Sequence, residues 1–160
     1  MPIRPVKRVI DTSAKGQNFK KEDELYERFM VGVSLISLKT IGKHDLVNRT
    51  NEFYFKADGG KAVKSRTPDI GTINLRENQV FEARSDQFTI WSEFAQFRQN
   101  EEKVVNVTVE LREQDVGRDD RLGKEQLTIK CPQKTDYMIL QDKKGETKAK
   151  LKIYAKETRY

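Results

Sequence analysis

Apolar and polar residues alternate along several short stretches of this chain. In residues 105–111 every second residue is apolar, namely Val105, Val107, Val109 and Leu111. The same alternation occurs in residues 149–155. A period of two is typical of a β-strand with one buried and one solvated face. The pattern therefore predicts half-buried strands.

Short strands of this kind are predicted along most of the chain, and no stretch has the period of an amphipathic helix. The predicted strands are residues 30–41, 52–57, 72–75, 79–83, 88–97, 105–112, 125–129, 137–140 and 149–155. The basic residues 61–68 predict either an edge strand or a loop. Eight or so short strands separated by polar turns indicate an all-β protein, an eight-stranded antiparallel β-sandwich.

Length and composition predict a single domain that neither spans a membrane nor carries a secretory signal. A chain of 160 residues can bury roughly 70% of its unfolded surface. No apolar run reaches the roughly 18 residues of a membrane-spanning helix, and the N-terminus lacks the apolar core of a secretory signal. The single cysteine, Cys131, excludes an internal disulfide and fits a reducing compartment. We therefore expect a cytoplasmic protein, either free or peripheral to a membrane.

Charge suggests the chemistry of the partners. Residues 1–22 contain six basic residues and two prolines, which predicts an extended or disordered arm before a sandwich spanning residues 28–156. The arm is either a passive tail or a segment that docks on a partner. The net charge of +6 favours lipid headgroups, nucleic acid or an acidic protein. No single strand interleaves aromatic and basic residues, and zinc-finger spacing is absent, so the sequence disfavours nucleic acid.

The strand at 105–112 ends in a loop that is mostly charged. Gly117 permits a turn there, and the charged residues are Glu113, Asp115, Arg118, Asp119 and Asp120. Carboxylates delivered by a packed strand to a loop are either oxygen ligands for a hard cation such as Ca²⁺ or the polar side chains of a solvated turn. Both interpretations remain open from the residues alone.

Several pieces of the chain, in order, resemble the C2 domain family over about residues 28–156. Those pieces are the apolar series Val31, Val33, Leu35, Leu38 and Ile41; Tyr54 and Lys56 in the second strand; Trp91, Ser92 and Glu93 with Phe94 and Phe97; Glu113, Asp115, Asp120 and Gly123 in the loop; and residues 137–140, Gly145 and 151–153 at the end. The resemblance implies an eight-stranded sandwich whose loops at one end bind Ca²⁺ and contact anionic phospholipid.

The resemblance also implies a set of calcium ligands. Carried over by position, they are Asp45, either Asn51 or Glu52, Glu113, Asp115 and Asp120. This chain departs from the family because Glu113 stands where aspartate is expected and the loop to Asp120 is one residue short. Arg112 and Arg118 would also repel a divalent cation or pair with the acids. We expect a degenerate site, so that the cofactor is either none or Ca²⁺.

A basic stretch provides a second candidate site. Lys56, Lys61, Lys64 and Arg66 lie on and just after the second predicted strand, where some C2 domains bind acidic headgroups. Each basic residue near an anionic bilayer contributes about 1 kcal/mol, so four could dock the domain without calcium. The alternative is that these side chains only protect an edge strand from aggregation.

The sequence offers little support for catalysis. The one histidine, His44, is distant in sequence from Cys131, and no glycine-rich phosphate loop is present. The aromatic residues are expected in the core, namely Phe53, Phe55, Trp91, Phe94 and Phe97. We therefore predict a non-enzymatic, calcium-independent module that binds a protein partner or a larger assembly. The alternative is a peripheral module that docks on anionic phospholipid, with or without Ca²⁺.

Overall fold

Ten β-strands form the regular structure of the protein, as seen in a computed structural model that describes residues 25–41, 50–60, 64–84, 88–115 and 117–158. The strands are β1 (Tyr26–Thr40), β2 (Asn51–Asp58), β3 (Lys64–Thr67), β4 (Ile73–Leu75), β5 (Val80–Glu82), β6 (Thr89–Arg98), β7 (Val104–Glu113), β8 (Asp120–Lys130), β9 (Gln133–Gln141) and β10 (Thr147–Glu157). The predicted arm, residues 1–22, lies outside the described residues.

The strands form two antiparallel sheets. In the first, here called the β1 sheet, β5 and β6 pair with one side of β1, and β10 and then β9 follow on its other side. In the second, the β2 sheet, β3 and β4 pair with one side of β2, and β7 and then β8 follow on the other. The all-β antiparallel sandwich predicted from the sequence is confirmed.

The strand count differs from the predicted eight because two strand positions are each divided. β3 and β4 share one side of β2, and β5 and β6 share one side of β1, so each sheet is four strands wide although it contains five strands. The basic stretch that the sequence left open as edge strand or loop contains the edge strand β3.

The core lies between the sheets and follows the predicted alternation. Side chains with at most 1% of their surface exposed come from both sheets and include Phe29, Val31, Val33, Leu35, Phe53, Phe55, Val107, Val109, Leu111 and Leu151. The predicted burial of Phe94 is wrong, because its side chain is 64% exposed. Phe94 pairs with Met30 on the outer side of the β1 sheet, whereas Trp91 pairs with Val33 and points inward.

The edges of the two sheets approach each other closely where β8 passes β9. A Cβ atom placed on Gly123 in β8 would lie 2.7 Å from the carbonyl oxygen of Gln141 and 3.2 Å from Leu140 Cδ1. Such distances leave no room for a side chain at this position. The contact explains physically why a glycine follows the charged loop here.

Pairing of the strands gathers several connections at one end of the sandwich. Thr40 at the end of β1 pairs with Thr147 at the start of β10, and Phe53 near the start of β2 pairs with Glu113 at the end of β7. The charged β7–β8 loop therefore lies at the end where β2 begins. The β1–β2 connection belongs to this end too, but residues 42–49, including Asp45, lie outside the described residues.

Candidate functional site

The β7–β8 loop folds back over the outer face of the β2 sheet. The Tyr54 hydroxyl donates a hydrogen bond of 2.5 Å to Asp119 Oδ2. The backbone N–H of Asp115 donates a bond of 3.2 Å to Asp119 Oδ1. Both oxygens of this carboxylate thus accept hydrogen bonds from the protein, one from a strand and one from the loop. These two bonds fix the loop against the sheet.

The two side chains of this contact shift each other's pKa. The hydrogen bond from Tyr54 is the largest cause that holds the pKa of Asp119 below its ordinary value, and the N–H of Asp115 and the charge of Arg112 act in the same direction. Burial raises the pKa of Tyr54, and the hydrogen bond to Asp119 raises it further. The phenol therefore stays protonated and the carboxylate ionised across the ordinary pH range.

The predicted calcium ligands do not gather in the part of the chain that the structure describes. Glu113 is the last residue of β7, and its side chain is buried, with 1% exposed. Its partner across the hairpin, Asp120, is exposed. Glu52 pairs with Asn74 on the outer side of β2, and Asp115 lies in the loop. No group of three or more histidine, cysteine, aspartate or glutamate side chains that could hold a metal forms among the described residues. The calcium site stays a prediction, since Asp45 lies outside those residues.

Three of the four predicted basic residues lie together on the outer face of the β2 sheet. Lys56 in β2 pairs with Arg66 in β3, and Asp58 pairs with Lys64, whose Nζ is 3.7 Å from Asp58 Oδ2. The Arg66 guanidinium lies 4.2 Å from the centre of the Tyr54 ring. Lys61 lies outside the described residues.

Three arginines that the sequence analysis did not assign to this surface extend it across the sheet. Arg112 in β7 pairs with Tyr54, and Arg121 in β8 pairs with Arg112. Arg112 and Arg121 line an open depression on this face, and Arg118 lines it from the β7–β8 loop. Because these residues come from strands and loops far apart in sequence, only the register of the sheet could reveal them.

Acidic groups partly neutralise this surface. Arg112 Nη1 lies 3.1 Å from Glu110 Oε1, and Asp58 lies beside Lys64. Asp119 and Asp120 border the depression. The face is therefore a mixed surface, in which acids lie beside several of the cations.

Removal of the Tyr54 hydroxyl should be visible at Asp119. In Tyr54→Phe we expect the pKa of Asp119 to rise toward its ordinary value, because the largest cause of its depression is lost. A carboxyl group whose pKa is depressed in the folded state stabilises the fold at neutral pH, and this contribution is lost as the pH falls through the folded-state pKa. The free energy of unfolding of the variant should therefore fall less steeply with acidification than that of the unaltered protein. The measurement is a carbon-detected NMR titration of the Asp119 carboxyl, with Tyr137→Phe as control; an unchanged pKa would refute the link.

Comparison with known proteins identifies the fold. No protein-family model matches the chain, and no curated protein sequence does. Among solved structures, the C2 domain designated A of plant extended synaptotagmin 1 is similar, with a TM-score of 0.52 and 16% identity over 82% of this chain and 96% of that domain. Human GIVD cytosolic phospholipase A2 in complex with methyl gamma-linolenyl fluorophosphonate is similar with a TM-score of 0.50 and 15% identity, over 82% of this chain and 17% of that one.

These similarities concern architecture alone, and they agree with the sheets described above. The match covers only a small part of the phospholipase chain. No helix within the described residues is long and apolar enough to cross a membrane. The two antiparallel sheets, together with the likeness to nearly all of the synaptotagmin domain, establish that this chain has the fold of a C2 domain.

Proposed function

We propose that this protein is a non-enzymatic, calcium-independent C2-like module that docks on anionic phospholipid through the outer face of its β2 sheet. The observation that carries the proposal is the adjacency of Lys56, Lys64 and Arg66 on β2 and β3. Arg112 continues the basic surface onto β7. Binding of a protein partner through the N-terminal arm remains the other prediction, and that arm lies outside the described residues.

The electrostatics support weak, salt-sensitive docking. Each lysine or arginine near an anionic bilayer contributes about 1 kcal/mol, and the effect falls off within a Debye length. Asp58 beside Lys64 and Glu110 beside Arg112 reduce the net attraction. The ring of Tyr54 supports the Arg66 guanidinium from below and thereby limits the freedom of that side chain.

The state of Asp119 supports docking without calcium. Both oxygens of its carboxylate accept hydrogen bonds from the protein, and Arg112 and Arg118 lie close to it. A cation at this loop would have to displace these bonds and overcome the repulsion of two guanidinium groups. We therefore expect the loop to keep its conformation whether or not calcium is present.

Sedimentation with phosphatidylserine vesicles in chelator tests the proposal. The double variant Lys56→Gln, Lys64→Gln should bind roughly 5- to 30-fold more weakly, because it loses two contributions of about 1 kcal/mol that nearby acids partly offset. The matched control is Lys143→Gln, Lys144→Gln, which removes the same charge from the exposed β9–β10 turn.

Two outcomes would contradict the proposal. Equal weakening in both double variants would mean that only the net charge matters. Vesicle binding that requires millimolar calcium would contradict the calcium-independent part, and binding would then be expected to disappear in Asp115→Asn.

A further inference from the structure

The outer face of the β1 sheet, on the opposite side of the sandwich from the outer face of the β2 sheet, is the more strongly basic of the two. Among the described residues, the register places seven cations at its paired outward positions and one acid, Glu82. The cations are Arg28, Lys39, Arg98, Lys148, Lys150, Lys152 and Lys156. The β2 sheet, in contrast, interleaves acids with its cations.

Four of these lysines lie along one side of the single strand β10. Lys148, Lys150 and Lys152 occupy successive outward positions, Tyr154 takes the next, and Lys156 follows. Residues two apart in a strand are separated by roughly 6.6–6.8 Å. The four lysines are therefore attached to the sheet along a line, which suits a linear polyanion better than a compact one.

The ring of Tyr154 lies across a glycine on the neighbouring strand. A Cβ atom placed on Gly32 would be 2.3 Å from the Tyr154 hydroxyl oxygen, so this phenol fills the space of the absent side chain. The Nζ atoms of Lys152 and Lys156 each lie 5.7 Å from the centre of the ring. Tyr154 is thus an aromatic surface that rests on the sheet between two ammonium groups.

A second ring lies beside the same row of lysines. Tyr137 in β9 pairs with Lys152 and is 53% exposed, and Lys150 Nζ is 5.2 Å from the centre of its ring. On the same outer face, Phe94 lies in β6 on the other side of β1 and is 64% exposed. Aromatic rings therefore flank the row of lysines on both sides.

We propose that the outer face of the β1 sheet binds single-stranded nucleic acid along β10, with phosphates at the lysines and bases stacked on Tyr137 and Tyr154. Single-strand binding surfaces combine a basic track with aromatic rings on which bases stack, without reading sequence. This arrangement combines both elements in one face, and it goes beyond the phospholipid docking proposed for the β2 sheet.

Two arguments favour nucleic acid over a membrane or a protein partner. Tyr154 lies against Gly32 instead of projecting from the face, so it can offer its ring for stacking but cannot insert into a bilayer. A protein partner fits less well, because lysine is depleted in protein–protein interfaces, whereas it dominates here. The statement from the sequence that no single strand interleaves aromatic and basic residues is wrong for β10, where Lys152, Tyr154 and Lys156 occupy successive outward positions.

The test is fluorescence anisotropy with a labelled oligouridylate of about twelve nucleotides, within the range of single-strand site sizes. The variant Lys148→Gln, Lys150→Gln should weaken binding and lower the slope of log K against log salt by about 1.4, because each phosphate contact contributes about 0.7 on a single strand. The matched control Lys124→Gln, Lys130→Gln removes the same charge from exposed positions on β8 of the β2 sheet and should leave the slope unchanged.

A second pair of variants tests stacking apart from charge. Tyr137→Ala should weaken binding roughly 5- to 150-fold, the range for loss of one stacked base, while Tyr137→Phe keeps the ring and should bind as the unaltered protein does. Because Tyr137 is half exposed, neither change threatens the fold.

Three results would overturn the proposal. They are an equal loss of slope in the β8 control, identical binding by the alanine and phenylalanine variants, and binding of phosphatidylserine vesicles but not oligouridylate through Lys148 and Lys150. The last result would assign this face to membranes. Failure here leaves the Lys56 and Lys64 vesicle experiment unaffected, because those lysines lie on the other sheet.

Discussion

Phe55→Ala should lower the free energy of unfolding by about 3–5 kcal/mol, the usual cost of truncating a fully buried phenylalanine. Phe55 is 0% exposed at the centre of β2, where it pairs with Thr67 of β3 and Leu111 of β7. Its removal leaves a cavity between the sheets that neighbouring side chains can fill only in part. Urea denaturation monitored by intrinsic fluorescence measures the change.

The matched control for this variant is Phe94→Ala. The same atoms are removed, but the Phe94 side chain is 64% exposed, so the expected change is within about 0.5 kcal/mol. Similar losses in the two variants would show that the inward and outward assignment of the strand positions is mistaken. If Phe94→Ala alone unfolds the protein, the assignment of β6 is reversed.

Gly123→Ala should be destabilising by about 1–3 kcal/mol, the range for overpacking a closely packed site. The sign of the change is informative, because replacement of a glycine within a strand by alanine ordinarily raises the stability of the protein by roughly 0.5–1 kcal/mol. Here the new Cβ would lie 2.7 Å from the Gln141 carbonyl oxygen, a backbone atom that cannot move without disturbing β9.

The neighbouring exposed residue provides the comparison for Gly123. Lys124→Ala on the same strand should change the free energy of unfolding by less than about 0.5 kcal/mol. A stabilising effect of Gly123→Ala in a thermal melt would show that β8 and β9 are farther apart than described.

Much of the fold could be predicted because alternation in a strand reports directly which residues are buried. The series Val105, Val107, Val109 and Leu111 is buried as its pattern indicates. The prediction for Phe94 failed because the sequence analysis placed every aromatic residue of this strand in the core. Trp91 and Phe94 are three residues apart, so alternation alone places them on opposite faces of β6, as the structure shows.

The candidate sites were less predictable, because they depend on which strands become neighbours. Lys56, Lys64 and Arg66 are close in sequence, and the prediction that they share a surface could be made. Arg112 and Arg121 join them only through the order β2, β7, β8. The family resemblance directed attention to Asp115 and Asp120, whereas the carboxylate that the structure ties down is Asp119.

The outer faces of two stacked sheets point in opposite directions, so a module that binds one ligand on each face would be bivalent. The sheets of a sandwich lie about 10 Å apart, so ligands bound to the two faces would be held within a few nanometres of each other without touching. The faces share the core but no outward side chain, so their binding free energies should add. If both proposed surfaces bind, the domain would act as a cross-linker that raises the effective concentration of one bound ligand near the other.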